Sequence, residues 1–85
     1  MSETFQAVVT DIRLESRIDG KARWQIALDQ TLFSQGRQAG VLTAVSPNGA
    51  RLDVPVLGIV EEGGTVWHVV DKPLTEETEI TGSCS

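Results

Sequence analysis

From Ala22 to Asp29 the chain alternates, with Ala22, Trp24, Ile26 and Leu28 on one side and Arg23, Gln25, Ala27 and Asp29 on the other. This is the period of a half-buried strand. Phe5 to Glu15 is also strand-like, but its apolar phase changes from the odd-numbered Phe5, Ala7 and Val9 to the even-numbered Ile12 and Leu14. A bulge, or a strand that passes from one sheet to another, is therefore expected there. For the turn between the two strands, a two-residue Asp19-Gly20 loop sets Leu14 opposite Gln25 and Glu15 opposite Trp24, mixing apolar and polar partners. A three-residue loop, Ile18-Asp19-Gly20, pairs Leu14 with Trp24, Ile12 with Ile26 and Glu15 with Arg23. The second register is expected, with Gly20 in the left-handed conformation that ends such loops.

Alternation stops between Asp29 and Gly40, where polar residues surround Leu32 and Phe33; one helical turn from Thr31 to Gln35, closed by Gly36, fits this connection. Val41 to Val45 and Arg51 to Val60 form a second hairpin around Pro47-Asn48-Gly49, pairing Ala44 with Leu52 and Leu42 with Val54. Both faces of Val54 to Val60 are apolar, which predicts a strand covered on both sides at the centre of the core, with Pro55 where no ladder bond is needed. Glu61-Glu62-Gly63-Gly64 turns the chain into Thr65 to Asp71, and Pro73 ends that strand. Thr75 to Thr81 reads as a short charged edge strand and 82–85 as a frayed tail. The sum is an all-β fold, a small single-domain barrel or two-layer sandwich of five to six short antiparallel strands, with the domain spanning 1–81.

With 85 residues the chain has room for one hydrophobic core. Its single cysteine, Cys84, excludes an internal disulfide, and together with the lack of a leader-like start or a long apolar run this predicts a cytoplasmic protein, or one in a particle assembled there, with no membrane contact. Charge is unevenly spread. Residues 1–60 balance six acids against six bases, so the net charge of -5 arises beyond, where Glu61, Glu62, Asp71, Glu76, Glu77 and Glu79 face only Lys72. The bases Arg13, Arg17, Lys21 and Arg23 gather on the first hairpin. These two blocks are the candidate partner-binding residues, although they can also neutralise one another within the fold, as an expected Glu15–Arg23 pair does within the hairpin.

Catalytic chemistry finds little material. A Cys84–His68 dyad is formally available, but a penultimate cysteine on a glycine-flanked tail is poorly placed to hold reactive geometry. His68, between Val66 and Val70, reads as a core-edge residue, and Asp71, Glu76 and Glu77 form no metal-ligand spacing with it. Glu61-Glu62 lies on a glycine-rich turn that is expected to be exposed to water, a poor setting for paired acid–base chemistry. No phosphate-binding loop or dinucleotide fingerprint is present. Small barrels bind single-stranded nucleic acid by base stacking beside a basic groove, and Trp24 near the basic hairpin hints at this, but the chain is acidic overall and Trp24 and Trp67 read first as core anchors. The expectation is a non-enzymatic protein-binding module, such as an inhibitor or adaptor, that uses a sheet edge and its acidic C-terminal third against a basic partner surface, with no cofactor and no metal. A structural subunit of a symmetric assembly (a coat, decoration or shell protein), hence a homo-oligomer, is the alternative, with a nucleic-acid-binding barrel behind it.

Overall fold

The computed structural model describes residues 3–34, 36, 39–45 and 48–84. Seven strands, one or two more than the turn signals suggest, make an all-β antiparallel fold: β1 (Glu3–Ile18), β2 (Lys21–Leu28), β3 (Gly40–Val45), β4 (Arg51–Val56), β5 (Gly58–Glu62), β6 (Thr65–Val70) and β7 (Glu79–Cys84). Their order is β4-β3-β7-β1-β2-β6-β5. β1 bridges the two halves of this order, pairing with β7 over Glu3–Val8 and with β2 from Val9 onward. A register shift between Val9 and Asp11 marks the crossing, at the point where the apolar phase switches. The two ends of the order are consecutive on the chain, joined through Leu57, whose N–H donates to the Val69 carbonyl at 2.7 Å.

Both halves of the sheet contribute to one core, which contains Ala7, Val9, Ile26, Leu42, Val54, Val56, Ile59, Val70 and Ile80. Full burial of each large aliphatic side chain contributes roughly 1.5–3 kcal/mol. Phe33, from the connection after β2, is also part of this core and stands edge-on to Phe5 and to His68. No helical turn forms among the described residues of that connection; Thr31 Oγ1 instead accepts the Phe33 N–H at 3.0 Å. Gln35, part of the expected turn, lies outside the described residues.

Each hairpin corrects or bears out a register. In the first, Leu14 pairs with Trp24 and Ile12 with Ile26, as expected, but Ser16 rather than Glu15 lies opposite Arg23, and Ile18 lies opposite Lys21. The tip is thus the two-residue loop Asp19-Gly20, with φ of 53° and 76°, the pair of positive values that suits a tight hairpin. A bulge between Leu14 and Ser16 then restores the apolar pairing below it. In the second hairpin Ala44 pairs with Leu52 and Leu42 with Val54, and Gly49 has φ of 88°, both as expected; Pro47 lies outside the described residues.

Two expectations fail. Val54 to Val60 is not one doubly covered strand, because β4 and β5 lie at opposite ends of the order, burying Val54, Val56 and Ile59 and exposing Pro55 and Leu57. Pro55 does sit on an edge strand, where its missing N–H costs nothing. The C-terminal strand is not an edge, and 82–84 belong to it rather than to a frayed tail. β7 runs to Cys84 between β3 and β1, and the Phe5 ring lies across Gly82, its partner on β1, filling the space a side chain would take.

Candidate functional site

The basic residues of the first hairpin divide into two groups. β6 reaches β2 only from Trp24 to Ala27, and β7 leaves β1 at Val8. Ser16–Ile18 and Lys21–Arg23 therefore pair only with each other among the described residues, as a two-stranded arm that projects from the sheet. Arg17, Lys21 and Arg23 are exposed on it, with no side-chain hydrogen bond or ion pair among the described residues. Ile18, beside them, is 68% exposed.

Arg13, below the arm, is committed to the fold. Its guanidinium lies 4.0 Å over the Trp67 ring and donates to Glu62 at 3.0 and 3.4 Å, while Nε donates to Gln25 Oε1 at 2.6 Å. Gln25 in turn donates to Glu15 at 2.7 Å. The bulge puts Glu15 within reach of Gln25, and the expected Glu15–Arg23 pair does not form. The hydrogen bond from Arg13 and its positive charge hold the Glu62 carboxyl below the ordinary glutamate range. This group covers Trp67, which is buried, while Trp24 is partly buried and packs against the main core cluster.

The acids of the last third form no single surface. Glu62 is paired with Arg13, and Glu61 is next to it at the β5 end. Asp71 and Glu76 are exposed, whereas Glu77 and Glu79 border a cleft of about 540 Å³ whose apolar lining is Ala44, Val45, Ala50 and Leu52. Glu77 has φ of 68°, unusual for a residue with a side chain, and its N–H donates to the Val9 carbonyl at 2.7 Å. Arg51, on the same cleft, donates to Asp53 at 3.0 Å; that bond, then one from Thr43, lowers the Asp53 pKa.

Two of the free strand sides, those of β1 and β4, are poorly suited to receive a strand. Two bulges interrupt the half of β1 that pairs on one side only, and the Ile12 N–H there is taken by Asp11 Oδ1 at 2.8 Å. β4 carries Pro55. Bulges, prolines and such local caps are devices that discourage edge pairing.

His68 is fully buried. A carbonyl can only accept, so the 2.7 Å contact of Nδ1 with the Ile26 oxygen puts the proton on Nδ1, and Nε2 accepts from the Thr31 hydroxyl at 2.8 Å. Burial pushes the imidazole below its ordinary pKa, outweighing the Ile26 bond. With both nitrogens occupied, neither is free to act as base toward Cys84, which is itself buried on β7 rather than exposed on a tail. Among the described residues no three of His, Cys, Asp and Glu come together as a metal site, and no helix is long and apolar enough to cross a membrane.

The sequence pattern located the basic hairpin but missed Gln25, Thr31 and Phe33, which fix Arg13 and His68. A glutamine at a strand position and a threonine two residues before a buried phenylalanine carry no signal until the strand order is known. Comparison of the chain with family models, curated proteins and solved structures found no match.

Proposed function

We propose that this chain is a non-catalytic protein-binding module whose contact element is the β1–β2 arm. One observation carries this reading: the side chains of Arg17, Lys21 and Arg23 are unpartnered around the exposed Ile18, on an arm whose strands pair only with each other among the described residues. An exposed apolar residue ringed by free cations fits a partner surface that is acidic around an apolar spot. The arm replaces the sheet edge in the expected mechanism, because the free side of β1 carries bulges and β4 carries a proline. It also reverses the sign of the expected partner, since the acids that were to meet a basic surface are dispersed, with Glu62 held by Arg13 and Glu77 and Glu79 at the cleft.

The test compares capture of host proteins by the wild-type chain with capture by Ile18→Asp/Arg17→Glu/Lys21→Glu and by the control Leu57→Asp. The reading predicts a defined partner that the control retains and the arm variant loses. Equal capture by all three chains, each confirmed as folded, contradicts it.

A further inference from the structure

We infer that the occupant of the arm is a second copy of this chain, whose cleft between the β3–β4 hairpin and the 75–79 segment receives the arm tip; this rests on the arm being the contact element. The two surfaces are complementary in both respects that matter. The tip presents Ile18 among Arg17, Lys21 and Arg23, with Asp19 as its only acid. The cleft offers an apolar floor, with Val45 61% and Leu52 38% exposed, and an acidic border of Glu77 and Glu79. Arg51, the one cation of the cleft among the described residues, is already held by Asp53, so the border acts as a net negative site. Desolvating Ile18 against Leu52 and Val45 supplies the apolar part of the contact, and the charges select its orientation.

Each copy carries one arm and one cleft. Two copies that exchange arms reciprocally close as a twofold dimer, and copies that engage head to tail form a ring or a filament. The contact weakens with salt, because the screening length falls from about 8 Å at physiological ionic strength to about 3 Å at 1 M.

Sedimentation equilibrium of the full chain over a concentration series tests this. The mass is expected to rise to at least twice 9.2 kDa at low salt and to return to 9.2 kDa at high salt. Arg17→Glu/Lys21→Glu and Glu77→Lys/Glu79→Lys are each expected to stay monomeric alone, whereas an equimolar mixture of the two re-associates, since reversed arm then meets reversed cleft and native arm meets native cleft. A wild-type mass that stays at 9.2 kDa at every concentration and salt overturns the inference, as does a mixture that remains monomeric. The two proposals fail separately: a monomeric wild type whose arm variant still loses a captured host partner refutes the second copy and leaves the arm reading in place, whereas capture that is indifferent to the arm refutes that reading itself.

Discussion

The Arg13 guanidinium stacks 4.0 Å above the Trp67 ring while its two terminal nitrogens hold Glu62. This joins the basic hairpin to the acidic third within one molecule, and it divides the hairpin's cations into one that serves the fold and three that do not. Arg13→Ala is expected to cost about 1–2 kcal/mol, the sum of a partly exposed cation–π contact and charge-assisted hydrogen bonds discounted for solvent screening. Trp67 becomes wetter in that variant, so its fluorescence shifts to the red. Arg13→Lys recovers only part of the loss, because an ammonium lacks the planar fork that reaches Glu62 and Gln25 together. Chemical denaturation followed by tryptophan emission measures both effects.

His68 sets a pH dependence. Its native pKa is depressed by burial, and in the unfolded chain the imidazole titrates near 6.5, so the unfolded state binds the proton more readily. Stability from the neutral, doubly bonded ring is therefore fully present above about pH 6.5 and is lost as pH falls toward the native value. Denaturation midpoints between about pH 8 and about pH 5 are expected to fall for the wild type and to fall less for His68→Gln. Parallel curves contradict the assignment. At neutral pH His68→Gln costs about 1–3 kcal/mol, through the disturbed bonds to Ile26 and Thr31.

Gly82 is glycine because of Phe5. A methyl group at Gly82 meets the Phe5 ring, so Gly82→Ala is expected to destabilise by about 1–3 kcal/mol. Phe5→Leu is destabilising alone, but it relieves part of the cost of Gly82→Ala, giving a coupling of at least about 0.5 kcal/mol in a double-mutant cycle. Additive costs contradict the packing argument.

Local pattern revealed those parts of the fold that depend on neighbours in sequence. The phase switch in β1, both apolar hairpin pairings and the left-handed glycines follow from alternation and turn chemistry. β7 did not, because Gly82, Ser83 and Cys84 look like a tail until the Phe5 ring and the β3 edge are placed beside them. The bulge at Glu15 was hidden for a different reason: the loop that best suits Asp19-Gly20 and the register that best suits Leu14 and Trp24 disagree by one residue, and the extra residue reconciles them. Charge counting found the arm's cations but could not separate Arg13 from Arg17, since that distinction depends on β6 lying beside β2 and β5 beside β6.

Cys84 is buried within β7, so its thiol is protected by the fold. Labelling with a soluble thiol reagent is expected to be slow in native buffer and to accelerate in step with unfolding as denaturant is added. Rapid, denaturant-independent labelling contradicts the internal placement of β7.

The central claim, that the arm is the contact element, is tested most directly by a photo-reactive side chain placed at Ile18, with the same group at the comparably exposed Leu57 as the control. Irradiation of the folded protein in its native host is expected to give a discrete cross-linked species from position 18, which disappears when Arg17 and Lys21 are reversed to glutamate, and none from position 57. Cross-linking of equal yield from both positions, or a species from position 18 that survives the charge reversal, contradicts the account.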